Sequence, residues 1–168
     1  MLQFFTKKRG EKGFTLIELL VVIAVIGMLA SIVLVSLGPV RKKGRDARRM
    51  SDIRQIGTAM EMCYDDADCS GSEKYPDTAA QEIGPDSTNW KTIDTDGTPL
   101  YLTIPKDPLN SGDQQYKSKD GTDQWYCIYV KLEAPTAATW FCASNKGVAQ
   151  KEYTGPPTKD DCCGFDVD

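Results

Sequence analysis

Histidine is absent from the 168 residues of this chain. Its absence removes histidine-based catalytic triads, histidine metal ligands and the commonest general base of enzymes. The sequence also lacks a glycine-rich phosphate loop and a Cys-x-x-Cys pair of the kind that binds zinc. Paired carboxylates do occur, as in Asp160-Asp161, but adjacent acids in loops are normally solvated. We therefore expect no enzyme and no tightly bound organic cofactor.

A long apolar segment is the most informative feature that the chain does have. It runs from Phe14 to Gly38, 25 residues in which Glu18 is the only charge, and it follows a short basic stretch at residues 7–12. As a helix it would measure about 37 Å, against about 30 Å for the hydrocarbon core of a bilayer. A secretory signal has an apolar stretch of only about 7–15 residues. An ordinary membrane anchor fits the length but leaves Glu18 unexplained, because a charge in hydrocarbon costs about 2.5–3.5 kcal/mol.

The start of this segment, Gly13-Phe14-Thr15-Leu16-Ile17-Glu18, resembles the processing site of the type IV pilin family, which includes subunits of type IV pili, type II secretion pseudopili and competence pili. The resemblance implies that a prepilin peptidase cuts after Gly13 and methylates the new amino terminus at Phe14. We expect Glu18, the fifth residue after the cut, to accept that cationic amine from a neighbouring subunit during assembly. The implied organisation is a leader at 1–13, a transmembrane half-helix at 14–38, an amphipathic half-helix at 39–66 and a head at 67–168.

The charges on the two sides of the apolar segment conflict over its orientation. Residues 41–49 carry a net charge of +5 and the leader +3, and the positive-inside rule prefers the more basic flank in the cytoplasm. However, all six cysteines lie beyond the segment, as expected of a domain in an oxidising compartment. We expect a single-pass protein of the cytoplasmic membrane with its N-terminus in the cytoplasm and its head outside. The basic run would contact anionic headgroups or acidic surfaces of neighbouring subunits, or form a solvated helix face.

Apolar residues past the membrane segment recur every three or four positions, which predicts one helix from about Phe14 to about Asp65. The stripe predicted to pack under a sheet comprises Ala47, Met50, Ile53, Ile56, Met60 and Tyr64. The charged residues predicted on its other faces are Arg48, Arg49, Asp52, Arg54 and Glu61. A kink or melted turn is expected at Gly38-Pro39, because proline lacks an amide donor and crowds the preceding turn.

The head is predicted to be rich in loops with a small antiparallel sheet. Glycine, proline, aspartate and serine are dense beyond Asp68, which is typical of turns. Three segments read as strands: Tyr101–Ile104, Gln124–Leu132 and Thr139–Ala143. Short returns between successive strands imply antiparallel pairing. Packed on the helix stripe, this sheet gives an α+β, type IV pilin-like fold.

Cysteine spacing favours one disulfide and leaves the others open. Cys63 and Cys69 enclose a short loop at the end of the helix and are the expected pair. Cys127 and Cys142 could face each other across a hairpin, which would leave Cys162-Cys163 as a vicinal pair. Alternatively, the tail could fold back so that its two cysteines bridge the strand cysteines. The sequence does not choose between these arrangements.

The segment Ile104–Asn110, with Tyr75-Pro76 before it and Gln115-Tyr116 after it, resembles the major pseudopilin of type II secretion. In that subgroup a loop near the sheet binds calcium through aspartate side chains and backbone oxygens. The resemblance therefore implies a candidate calcium loop, with a solvated turn as the alternative. Its candidate ligands are Asp113, Asp120 and Asp123.

These features predict a filament subunit whose function is assembly. Its expected partners are identical subunits, prepilin peptidase, the inner-membrane assembly platform and membrane lipid. Removal of a leader of net charge +3 from a chain of net charge -4 leaves -7, which argues against nucleic-acid binding by the head. The alternative is a minor or competence pilin that binds DNA or a surface. The sequence does not distinguish pilus from secretion pseudopilus.

Overall fold

The computed structural model describes residues 13–66, 69, 73–76, 82–83, 92–93, 101–122, 124–158 and 160–165. The chain divides into two compact units, Met1–Val40 and Arg41–Asp168. The leader up to residue 12 and most of the stretch between residues 67 and 100 lie outside the described residues.

Helix α1 spans Leu16–Tyr64 and contributes to both units. The helix continues through Pro39, so the melted turn expected at Gly38-Pro39 is wrong, and the kink that was its alternative stays a prediction. Proline removes one intrahelical bond, to the carbonyl of Val35, but its fixed φ is itself helical. One lost bond therefore does not unwind the turn.

The first unit exposes its apolar residues along the helix. Every residue from Phe14 to Val40 except the half-buried Leu37 is exposed. Helix α1 contains an 18-residue window with a mean hydropathy of 3.0, none of it buried. Such a surface is stable only in lipid or against other apolar helices.

The second unit is built on two antiparallel sheets. The strands are β1 (Glu82–Ile83), β2 (Thr92–Ile93), β3 (Leu102–Thr103), β4 (Tyr116–Thr122), β5 (Trp125–Lys131), β6 (Thr139–Ser144) and β7 (Gly147–Glu152). The larger sheet has the order β1-β4-β5-β6-β7, and β2 pairs with β3. The predicted α+β class is confirmed, and the three predicted strands correspond to β3, β5 and β6. Strands β1, β2, β4 and β7 were not predicted.

One face of the larger sheet packs on the second half of α1. Ile53, Ile56 and Met60 are fully buried there, against strand residues such as Ile128 and Phe141. Of the remaining predicted stripe residues, Met50 and Tyr64 are half-buried and Ala47 is exposed. The stripe is therefore confirmed in its middle and wrong at Ala47.

The opposite face of the sheet is covered by the C-terminal segment. Side chains alternate along β5 and β6, so that Tyr129 and Trp140 point away from α1 and form a second buried cluster with the tail cysteines. Disulfides join Cys127 to Cys162 and Cys142 to Cys163, with Cα atoms 5.8 Å apart in each. A third joins Cys63 to Cys69, the pair that the sequence favours, with Cα atoms 5.4 Å apart. Of the arrangements left open, the structure has the one in which the tail folds back.

Candidate functional site

The carboxylate of Glu18 caps the first turn of its own helix. Its Oε2 accepts hydrogen bonds from the Thr15 backbone N–H at 2.8 Å and from the Thr15 hydroxyl at 2.7 Å. The Glu18 backbone N–H in turn donates to Thr15 Oγ1 at 3.3 Å. This reciprocal arrangement is a capping box. Its Thr-x-x-Glu pattern is visible in the sequence, from which Glu18 was predicted to act only in assembly. Oε1 of Glu18 makes no hydrogen bond within the described residues, so one carboxylate oxygen is available to a partner.

The expected cleavage site lies just outside the helix. Residues 13–15 have no regular secondary structure, and Phe14 is 91 % exposed. A Cβ placed on Gly13 would meet nothing within 4 Å. Proteolysis favours accessible backbone outside regular secondary structure, and the Gly13–Phe14 bond lies in such a stretch.

The basic run at residues 41–49 is divided between the surface and the interior of the second unit. Arg41, Lys42 and Lys43 are exposed. Arg45 donates from Nε and Nη2 to Glu133 at 2.9 and 2.5 Å. Arg49 has no exposed side-chain surface, so its predicted position on an outer face is wrong. The run is neither one solvated face nor one continuous basic surface.

Arg49 is surrounded by three carboxylates in the interior. Its Nε and Nη2 donate to Asp107 at 2.6 and 3.0 Å, a bidentate pair. Its Nη1 donates to Asp46 at 2.9 Å and also to Glu133. Burial disfavours the charged guanidinium, but the hydrogen bonds to Asp107 and Glu133 outweigh it and raise the pKa of Arg49. The arginine therefore stays charged in the interior because its donors are satisfied by anions.

These carboxylates also hold two loops against the helix. Asp107 accepts hydrogen bonds from the Leu109 and Asn110 backbone N–H groups at 2.8 and 3.0 Å. Asp46 accepts from the Glu133 N–H at 2.9 Å and the Ala134 N–H at 2.7 Å. The segment whose sequence resembles a pseudopilin loop is thus tied to α1 through Arg49.

Two further carboxylates of α1 bind tyrosine hydroxyls of the head. Tyr116 donates to Asp52 at 2.6 Å, and burial together with that bond raises the tyrosine pKa. Tyr75 and Tyr126 both donate to Glu61 at 2.9 Å. Asp52 is buried, so its predicted outer position is wrong, whereas Glu61 is exposed as predicted, as are Arg48 and Arg54.

A sequence signal for this polar network was present. The positions Asp46, Arg49, Ile53, Ile56, Met60 and Cys63 are spaced by three or four residues, and all are buried. The buried face therefore begins with charged residues in the same helical register as the apolar ones. A pattern of apolar residues alone contains Ala47 and Met50 in place of Asp46 and Arg49.

The candidate calcium ligands are only partly described. The carboxylate of Asp113 accepts a hydrogen bond from Lys131 at 2.9 Å, which lowers the pKa of Asp113. The Asp120 side chain and Asp123 lie outside the described residues. Within the part of the chain that is described, no group of three or more potential ligands could hold a metal ion. The calcium loop stays a prediction.

Known proteins are similar to this chain, two of them over more than two thirds of its length. Residues 8–34 match the family described as the prokaryotic N-terminal methylation motif. The chain is 35% identical over 145 residues to the type IV major fimbrial protein FimA of Dichelobacter nodosus, covering 82% of this chain and 90% of that protein. It is 34% identical over 122 residues to the type II secretion system core protein G of Dickeya chrysanthemi, covering 73% and 68%. For the core protein G of Aeromonas hydrophila the match is 36% over 72 residues and spans only 47% of that relative.

No solved structure matches the chain. An exposed apolar helix with a capped acid near its start, joined to a disulfide-bonded α+β head, defines a prepilin-like filament subunit. The chain belongs to the type IV pilin family.

Proposed function

We propose that the chain is a structural subunit of a type IV pilus or a type II secretion pseudopilus, assembled through its N-terminal helix. The observation that carries this proposal is the unburied apolar surface of residues 14–40 with Glu18 as its only charge. A chain that functioned alone would leave this surface facing only lipid. Packing of these helices against one another gives the surface a second, protein-lined environment.

Processing is the first step of the proposed pathway. Prepilin peptidase cuts the accessible Gly13–Phe14 bond and methylates the amine of Phe14, which remains cationic. The leader is thereby removed, and the new amine lies four residues before Glu18 in the same chain. Because Thr15 already occupies Oε2 of Glu18, the cationic amine of a neighbouring subunit has Oε1 as its acceptor.

This pairing sets the register between subunits. Opposite charges about 4 Å apart attract by about 4 kcal/mol at an effective dielectric near 20, before desolvation is subtracted. A subunit that entered at the wrong height would leave its neighbour's carboxylate unpaired among apolar helices. Van der Waals packing of residues 14–40 supplies the cohesion, and the charge pair supplies the alignment.

The experiment replaces the carboxylate while keeping its size. Glu18→Gln preserves the hydrogen bonds to Thr15 but removes the charge, and Glu18→Leu removes both. We expect both variants to insert and to be cut after residue 13, as seen by mass spectrometry, but to yield sheared filaments at less than a tenth of the wild-type level. Thr15→Val removes the hydroxyl of the cap but leaves the charge of Glu18 in place, so it serves as the matched control and should assemble. Wild-type filament yield from Glu18→Gln would contradict the proposal.

The proposed location follows from the same elements. The helix holds the unassembled subunit in the cytoplasmic membrane with its N-terminus in the cytoplasm, where the leader is available. The head lies outside, and its three disulfides support an oxidising environment. The inner-membrane assembly platform and membrane lipid are the further partners at this stage.

A further inference from the structure

The exposed part of the basic run borders a polar groove. The groove, about 410 Å³ in volume, is lined by Lys42, Lys131, Gln114, Glu133 and the turn at residues 135–138. Lys42 lies on α1, Lys131 ends β5, and Gln114 precedes β4. Cationic and neutral hydrogen-bonding groups from three segments therefore converge on one depression.

The carboxylates near the groove are already neutralised. Glu133 is bound by Arg45 and Arg49, and Asp113 is bound by Lys131 at 2.9 Å. By contrast, Arg41, Lys42 and Lys43 make no ion pair within the described residues and are exposed. The groove and its edge thus carry an excess of positive charge that nothing described in the chain balances.

The place of these cations in the sequence indicates what balances them. About 20 helical residues cross a hydrocarbon core. Counted from Leu16, the core ends near Val35, so that residues 41–43 follow six to eight positions later, at a depth suited to lipid headgroups. A basic flank on the outer side also opposes the usual charge rule for insertion, and anionic headgroups would offset that penalty.

We propose that Arg41, Lys42 and Lys43, with the groove that Lys42 and Lys131 line, bind the phosphate headgroup of an anionic phospholipid. The inference rests on the proposed function, since it requires the head to lie beside the membrane before assembly. Lys42 contacts the phosphate, while Gln114 and Thr136 offer neutral donors at the same groove. The bound lipid holds the base of the head at the membrane surface until the subunit is withdrawn into a filament.

Native mass spectrometry of the full-length chain in detergent tests lipid choice. Phosphatidylglycerol and phosphatidylcholine of equal chain length are titrated separately. We expect the wild-type chain to prefer phosphatidylglycerol, and Lys42→Gln to weaken its binding about fivefold, the effect of one cation near an anionic surface. The triple variant Arg41→Gln, Lys42→Gln, Lys43→Gln should lose the preference.

A second triple variant controls for total charge. Arg54→Gln, Lys106→Gln, Lys146→Gln makes the same charge change at exposed positions away from the groove and should keep the wild-type preference. Equal binding of both lipids by the wild-type chain, or equal loss in both triple variants, would overturn the inference. So would a groove variant that keeps its lipid preference but fails to form filaments, because the cations would then contact an acidic face of another subunit.

Two measurements separate this inference from the proposed function. The groove variant should remain in membranes after carbonate washing and should be cut after residue 13 at the wild-type rate. A wild-type chain that is released by carbonate or is never cut would contradict the proposed function. A wild-type chain that passes both tests but binds the two lipids equally would overturn only the lipid site.

Discussion

Arg49 shows how a charged residue becomes part of a protein core. Its guanidinium donates to Asp107, Asp46 and Glu133, and two of these carboxylates accept further hydrogen bonds from loop backbone. Removal of the cation would leave three anions in a low-dielectric region, with only Arg45, which binds Glu133, to offset their repulsion. The side chain of the neighbouring Arg48 is 59 % exposed, and its Nε lies 3.6 Å from Oδ2 of Asp52. Two adjacent arginines thus have opposite environments.

Arg49→Gln should destabilise the head by about 3–5 kcal/mol, because it breaks a buried ion pair from one side. Arg48→Gln is the matched control, with the same chemical change one residue earlier. It should cost less than about 1 kcal/mol, since exposed pairs contribute little. Urea unfolding of the full chain in detergent, followed by tryptophan fluorescence, measures both. Equal midpoints for the two variants would mean that the Arg49 network does not stabilise the head.

The same network makes stability depend on pH in the acid range. Hydrogen bonds from Arg45 and then Arg49 lower the pKa of Glu133 from its ordinary value of 4.5 to about 2. A depressed carboxyl pKa adds stability that is complete above about pH 4.5 and is lost as the pH falls towards 2. Glu133→Gln should therefore lower the melting temperature at pH 7 and flatten its decline between pH 4.5 and 2. A wild-type slope in the variant would assign the acid sensitivity to other carboxylates.

At the scale of single residues, chemistry predicted some positions and geometry was needed for others. Glu18 could be singled out because a lone carboxylate in an apolar run has few explanations. The burial of Arg49 could not be inferred from residue type, since arginine is usually exposed and its partners Asp107 and Glu133 lie 58 and 84 residues away. Only the fold brings those groups together.

At the scale of elements, α1 packs closely on the sheet at Gly57. A Cβ on Gly57 would lie 3.2 Å from the Ala143 Cβ and 3.4 Å from the Tyr126 hydroxyl. The hydroxyl of Tyr126 also donates to the Gly57 carbonyl at 3.3 Å. Small residues on both elements therefore let the helix backbone approach β6.

Substitution of two helical glycines separates backbone propensity from packing. Gly44→Ala adds a methyl group that meets nothing within 4 Å, so it should stabilise the head by up to about 1 kcal/mol. Gly57→Ala gains the same propensity but overpacks the contact with Ala143, at a cost of about 1–3 kcal/mol. We expect a lower urea midpoint for Gly57→Ala than for Gly44→Ala, with Gly57→Val lower still. Equal stabilisation by both alanines would show that the sheet yields to the added methyl.

Strands with a clear pattern of apolar residues could be predicted from the sequence, and strands made mostly of polar residues could not. Strand β5 alternates tyrosine, isoleucine and valine with other large residues and was predicted. Strands β4 and β7 read YKSKDGT and GVAQKE, in which polar residues hide the period of two. Their pairing with β5 and β6 decides their conformation, and this long-range effect is not visible in a local window.

At the scale of the whole molecule, the disulfides make the stability of the second unit depend on whether its compartment is oxidising or reducing. Two of them fix the tail over Tyr129 and Trp140, and each closes a loop of more than 20 residues. Long loops gain the most from closure, by about 3–4 kcal/mol each in the chain-entropy account. The pairing could not be chosen from spacing, because the tail reaches the sheet only through the fold. A reducing compartment would withdraw this contribution from the head.

The orientation of the chain in the membrane can therefore be read from its thiols. All six cysteines are paired within the described residues. If the head lies outside the cytoplasm, a membrane-permeant alkylating reagent added to intact cells should label none of them, and reduction before labelling should add six groups to the mass of the processed chain. Arg49→Gln provides an internal check, because a loosened head should need less reductant to reach full labelling. Free thiols at most of the six positions in unreduced cells would place the head on the cytoplasmic side, where the basic run at residues 41–49 would obey the positive-inside rule.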